Sequence, residues 1–341
     1  MPAGCSCSKL FVFKAVRVQM GTTRPEEINM ATMKAVRLHE FGGPERLKYE
    51  DAPKPEPKDG EVLIKVAASG INPIDWKVGE GMMEKMVKHP LPLIPGWDVA
   101  GTVEALGPGV TAFAVGDAVF AMADNQRDGT YAEYTALPAN TLCAKPSSVD
   151  FTAAASIPLA STTAWEALTE EANLQSGQTI LIHGAGGAVG AFAVQFAKVK
   201  GAKVIATATG DDIAYVRGLG ADTVIDYKTE KFEDEAHGVD AVLDTIGGDT
   251  QARSWATLRD GGVLVTTVGV IAETPEAAAR GVQGKPFGAR PDGKVLAEIA
   301  RLVDAGEVKT RVGATFPLSE AKQAQEQAKS GHTQGKIVLT V

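Results

Sequence analysis

From Met33 to about Pro146 the chain carries short apolar runs punctuated by Gly and Pro. Val62–Val66, Val99–Val103 and Ala118–Phe120 each read as a strand of this kind. Pro53, Pro55 and Pro57 interrupt the ladder near its beginning. The pattern predicts a strongly turned, partly open β-domain, with one helix at Met82–Lys88 ahead of Pro90. After Ser147 the periodicity changes. Ala153–Leu168 is alanine-rich and helical in period, and strands and helices then alternate. Thr179–His183 is followed by the helix Ala188–Lys200, and Lys203–Thr207 by Asp212–Leu219. Thr223–Asp226, Ala241–Asp244, Thr250–Leu258 and Gly262–Val268 continue the series. Alternation with short connections predicts an α/β fold, a doubly wound parallel sheet covered on both faces.

The tail is predicted to hold a helix at Gly293–Asp304, closed by Gly306, and a second at Ser319–Lys329 with Ser319 as N-cap and Gly331 as stop. Gly335–Val341 reads as a strand with no helix after it, so it is expected to return to the β-rich domain.

At 341 residues the chain suits two domains. A formal charge of −8 argues against a nucleic-acid partner, which would need a basic face. No run of apolar residues is long enough for a membrane span. Three cysteines, Cys5, Cys7 and Cys143, make no disulfide framework, and a cytoplasmic compartment follows as the expectation. Residues 1–32 read as a disordered leader; Met20, Met30 and Met33 each offer a start, and Met33-Lys34-Ala35-Val36-Arg37 opens the first strand.

The strongest chemical signal is His183-Gly184-Ala185-Gly186-Gly187-Ala188-Val189-Gly190. It follows an apolar strand and opens a helix, the context in which such glycines bind a dinucleotide. Glycines permit a tight turn close to a diphosphate, and the helix start offers free N–H groups and a positive dipole end. Gly190 is expected to let helix and strand pack closely. The second strand ends Ala206-Thr207-Ala208-Thr209-Gly210, without the acid that receives a ribose hydroxyl pair in NAD sites. Thr209 leaves room for a 2′-phosphate, with Tyr227 and Lys228 nearby on the adenosine side, and NADPH is therefore favoured over NADH. Asp211 and Asp212 would repel a phosphate if they faced it; alternatively they start the next helix, where carboxylates suit the dipole.

These residues resemble the medium-chain dehydrogenase/reductase superfamily, specifically its zinc-less quinone oxidoreductase and alkenal reductase branch. The matching stretches are Gly70-Ile71-Asn72-Pro73-Ile74-Asp75, Ile94–Gly101, Gly129–Tyr134, Ser161–Trp165, the glycine turn, Leu219–Asp222 and Gly335–Leu339. The resemblance implies a GroES-like substrate domain (33–157 and 291–341) and a Rossmann NAD(P)-binding domain (158–290), with a cleft between them. Zinc-dependent relatives place a Cys at Asn72 and a His-Glu pair at Trp97-Asp98; neither Asn nor Trp is a normal zinc ligand, so no metal site is expected. Without a Lewis acid, hydride transfer suits a small apolar acceptor that is already electrophilic, a quinone or an α,β-unsaturated carbonyl. Asn72, through its amide, and Lys77, through its ammonium, are the candidate donors to the developing oxyanion. Thr163 resembles the residue that meets the nicotinamide ribose, though a helix-start cap is the duller reading. Val268 and Gly269, past the fifth strand, are placed to bind the nicotinamide amide. Arg280–Asp292 is expected to hold an irregular sixth edge strand, inviting a homodimer. The alternatives are a non-catalytic NADPH-binding protein and an enoyl reductase for longer acyl substrates. No serine elbow supports a hydrolase.

Overall fold

The computed structural model describes residues 31–85, 88–269, 271, 273–331 and 333–341. The expected leader lies outside them except for its last two residues, and Thr32 already belongs to a strand. A hairpin, β1 (Thr32–Leu38) and β2 (Leu47–Pro53), leads in. Then come β3 (Glu61–Gly70), β4 (Asp98–Leu106), β5 (Ala118–Met122), β6 (Tyr134–Pro138) and β7 (Leu142–Ala144). Gly and Pro mark the turns between them, but β3 (10 residues) and β4 (9 residues) run longer than the apolar cores Val62–Val66 and Val99–Val103.

The expected helix at Met82–Lys88 is not there: 81–85 are turns, and 86–87 lie outside the described residues. The helix of this region is instead α1 (Pro73–Gly79), which the sequence reading missed. Its start is well specified. Pro73 needs no N–H partner at the first helical position, and Asp75 accepts from the Asn72 N–H at 2.8 Å. Gly81, at φ +76, then turns the chain away.

The alanine-rich stretch also differs. It splits into α2 (Phe151–Ala155) and α3 (Pro158–Glu166), followed by a π turn at Ala167–Glu171. Pro158 lacks the N–H that a continuous helix would use there.

From β8 (Thr179–Ile182) onward the alternation holds. α4 (Ala188–Val199), β9 (Lys203–Ala208), α5 (Asp212–Gly218), β10 (Thr223–Asp226), β11 (Val239–Asp244), α6 (Gly248–Ser254) and β12 (Leu258–Thr266) follow in order. β12 starts earlier than expected, because Leu258 rather than Gly262 begins the ladder. After α7 (Pro275–Ala279), the sixth strand is the short β13 (Gln283–Pro286). All six strands are parallel, in the order β10-β9-β8-β11-β12-β13. Alternate residues of these strands feed two separate cores. Ile180, Ile182, Val204 and Ala206 join one, and Leu181, Ile205, Val242 and Leu264 the other. That is why they read as continuous apolar runs: both faces of the sheet are covered.

The tail holds α8 (Gly293–Asp304), β14 (Val312–Pro317), α9 (Ala321–Ser330) and β15 (Lys336–Thr340). α8 has its predicted limits, with Asp292 accepting from the Lys294 N–H at 2.7 Å. Ser319 is not an N-cap; it sits in a 3-10 turn after Pro317, and Glu320 takes that position. Gly331 closes α9 at φ +71. β15 pairs antiparallel with β3, Leu339 opposite Ser69, so the tail does return to the first sheet. The second sheet thus runs β14-β15-β3-β4-β5-β7, with β6 also on β3.

Candidate functional site

The glycine turn links the end of β8 to α4. A Cβ on Gly190 would lie 2.4 Å from the Gly184 carbonyl oxygen, so only glycine lets the helix start fold back on the turn. Gly187 precedes the helix, and Ala188 and Val189 are its first two residues, whose N–H groups have no intrahelical acceptor. Beneath the turn, His183 is buried between Thr207 Oγ1 (3.2 Å) and Ser254 Oγ (2.9 Å). Burial pushes its pKa down to about 4, so it holds the turn as a neutral ring. Ala185 donates its N–H to the Thr207 carbonyl at 3.1 Å, fastening the turn to β9. This free-donor rim on a glycine-lined surface fits a dinucleotide diphosphate.

The other expected cofactor residues lie past the ends of strands β9, β10 and β12 and within α3. Thr209 lies just past β9, and the Tyr227 N–H donates to Ala208 O at 3.3 Å, which brings the exposed Tyr227 beside that strand end. Val268 and Gly269 follow β12, and Val268 Cγ2 lies 3.3 Å from where a Gly247 Cβ would be, at the turn after β11. Thr163 is not a helix-start cap: it sits in the body of α3, with Oγ1 donating to Leu159 O at 2.6 Å.

Asn72 lies at the centre of a buried polar cluster assembled from distant parts of the sequence. Its Nδ2 donates to Asp98 Oδ2 at 2.8 Å and makes a longer 3.5 Å contact with Gly70 O. Its Oδ1 accepts from Lys336 Nζ, and that ammonium lies 3.1 Å from Asp98 Oδ2. Asp98 Oδ1 accepts from the Leu159 N–H at 2.7 Å, so one carboxylate joins β4, β15 and the first turn of α3. Tyr131 Oη donates to Asp75 Oδ2 at 2.6 Å. Burial is the main force raising the Asp75 carboxyl to about 7, and Oδ1 has no partner among the described residues. A neutral carboxyl is the cheaper state to bury there. Burial, then the Asp75 charge, holds the Tyr131 phenol well above its usual value.

Asn72 is thus 1% exposed and its amide already engaged, whereas Lys77, one turn along α1, is half-buried with an ammonium that makes no hydrogen bond or ion pair among the described residues. No hydrogen bond joins the two expected donors among the described residues. Lys336 and Tyr131 were visible only as members of matching stretches; nothing local marks them as partners of Asn72. The histidines are packing or surface residues: His39 pairs with Glu50 at 2.6 Å, His89 meets Asn125 O at 2.5 Å and His237 meets Asp234 O at 3.1 Å, while His332 lies outside the described residues.

Comparisons with known proteins agree with this architecture. An alcohol dehydrogenase GroES-like domain model matches residues 58–147, and a zinc-binding dehydrogenase model matches 219–339. The NADPH-dependent alkenal/one oxidoreductase of Arabidopsis thaliana chloroplasts is 36% identical over 98% of this chain and 85% of its own. The 2-methylene-furan-3-one reductase of Solanum lycopersicum is 35% identical over 90% of this chain and 79% of its own. The solved structure of the quinone oxidoreductase from Coxiella burnetii superimposes with a TM-score of 0.84 at 34% identity, over 91% of this chain and all of that one. The chain belongs to the medium-chain dehydrogenase/reductase superfamily, in its quinone oxidoreductase and alkenal reductase branch, and is an oxidoreductase with a GroES-like part and a Rossmann sheet.

Proposed function

We propose that this protein reduces a quinone or an α,β-unsaturated carbonyl with NADPH, without zinc. The observation that carries the reading is the glycine turn, with its donor rim at the carboxyl edge of the parallel sheet, where such folds bind dinucleotides. The division into a Rossmann domain at 158–290 and a substrate domain at 33–157 and 291–341 belongs to the same reading.

A bound nicotinamide supplies hydride to the electrophilic carbon. The glycine turn would bind the diphosphate, Thr209 and Tyr227 would flank the adenosine, and Thr163, Val268 and Gly269 would border the nicotinamide. Conjugation moves the developing charge to the acceptor's oxygen, where the uncommitted Lys77 ammonium is the donor of choice. The second N–H of Asn72, spent only on the 3.5 Å contact with Gly70 O, is an additional donor. Solvent can then protonate the enolate carbon. Independence from zinc is supported by Lys336, whose ammonium already neutralises Asp98 and would repel a second cation beside it.

The test is NADPH oxidation, followed by absorbance, against a simple quinone and a short-chain enone. Turnover is expected, and Lys77→Ala should lower kcat by about 10²-fold, the scale of one lost oxyanion donor, with nucleotide binding unchanged. Nucleotide binding without turnover on either acceptor would favour a non-catalytic binding protein or a bulkier acyl substrate. Two further proposals accompany this one. The short β13 lies at the sheet edge, supporting a homodimer. A cytoplasmic address is supported by the three-cysteine composition and is checked by cell fractionation. Among the described residues no helix is long and apolar enough to cross a membrane.

A further inference from the structure

The turn between β9 and α5, where a Rossmann sheet meets the adenosine ribose, reads Thr209-Gly210-Asp211-Asp212 and holds no Lys or Arg. A 2′-phosphate in that place would meet carboxylates alone unless a cation reached it from another part of the fold. The structure supplies one, Arg311, close enough to act on Asp212.

Asp212 opens α5 and leans onto the glycine turn: a Cβ on Gly186 would lie 2.5 Å from its Oδ2. Its Oδ1 is buried with no hydrogen-bond partner among the described residues. A carboxylate is an acceptor only, so this oxygen keeps its acceptor capacity for a hydroxyl. Burial raises the Asp212 carboxyl from its ordinary value, while Arg311 draws it back down.

Arg311 comes from the second sheet, as the residue just before β14. Its guanidinium lies 4.7 Å over the ring of Tyr215, one turn along α5 from Asp212, and donates to Gln334 Oε1. Arg311, Tyr215, Gly186 and Gly187 line one cleft. A guanidinium has five donors, and those not used on Gln334 remain for a phosphate, which it can take in a bidentate fork.

We propose that Asp212 and Arg311 form an opposed pair that sets the choice between NADPH and NADH, the carboxylate receiving the ribose hydroxyls and the guanidinium receiving the 2′-phosphate. The inference rests on the nucleotide reading above and adds to it a discriminator split between two sheets. Arg311 compensates for a ribose turn that by itself disfavours NADPH. The guanidinium acts on the 2′-phosphate, while the carboxylate repels that phosphate and accepts from the ribose hydroxyls.

The experiment measures dissociation constants of NADPH and NADH for the full chain by calorimetry, with 2′,5′-ADP and 5′-AMP as fragment probes. One charge at this range in a half-buried cleft corresponds to about a tenfold change in affinity. Asp212→Asn is expected to tighten NADPH and 2′,5′-ADP by about that factor while weakening NADH. Arg311→Gln is expected to weaken NADPH and 2′,5′-ADP by about that factor, with NADH and 5′-AMP within about twofold of the parent. If both nucleotides bind but shift together in both variants, the pair is merely structural and the inference is overturned. If neither nucleotide binds the parent protein, the nucleotide reading itself fails and takes the inference with it.

Discussion

Asp75 shows how far one side chain can depart from its ordinary chemistry. Its oxygens sit in a fully buried cluster where Tyr131 and the Asn72 N–H serve only Oδ2. The folded pKa of about 7 stands above the ordinary 3.8, so between those values the folded state keeps a proton that the unfolded chain has released. Stability therefore falls as pH rises through that window, by about 1.4 kcal/mol per unit and so by a few kcal/mol in all. Urea midpoints at pH 5 and pH 8 should show the drop. Asp75→Asn keeps an acceptor for Tyr131 and removes this titration, so its drop should be smaller; Glu166, also raised by burial to about 7, retains its own share. Equal drops in parent and variant would sink the assignment. None of this was legible locally. Asp75 and Asp98 sit in recognisable motifs, but Lys336 lies 264 positions from Asn72, and only the pairing of β15 with β3 brings them together.

At the level of elements, motif and packing prove to be the same thing. Gly96, in Ile94-Pro95-Gly96-Trp97-Asp98, stands at φ +90, and a Cβ there would enter the Tyr131 ring at 2.1 Å. The glycine turn obeys the same rule. Gly190→Ala would push the start of α4 off the Gly184 carbonyl, costing about 1–3 kcal/mol as an overpacked contact. On the proposed function it should also weaken nucleotide binding, since the proposed diphosphate donors belong to that helix start. Calorimetry and a thermal melt check both, and unchanged binding would detach the turn from the cofactor. Strand–helix alternation was readable because both faces of the parallel sheet are buried. α1 was missed because its signal is a capping arrangement, Asn72-Pro73 with Asp75, rather than an apolar stripe, and Met82–Lys88 carried more apolar character. The continuous helix at Ala153–Leu168 failed on Pro158, whose missing N–H outweighed alanine propensity.

Across the whole molecule, Asp98 is the joint. Bonds to Lys336, Asn72 and the Leu159 N–H tie the β-rich sheet to α3, which packs on the Rossmann core. At the far edge of the parallel sheet, β13 pairs on one side only among the described residues, through β12. If that edge joins two copies, sedimentation at micromolar concentration should give twice the 35.6 kDa chain mass, and a single-chain mass would remove the dimer proposal. By itself the sequence determined the β-rich and parallel-sheet parts, the glycine turn between strand and helix, the return of the tail and the family, because each is written in local periodicity or contiguous motifs. The tertiary structure alone decided which charges meet. It set Lys336 against Asn72 and Asp98, and it brought Arg311 close enough to act on Asp212, because these approaches depend on strand pairing between distant segments and leave no local trace.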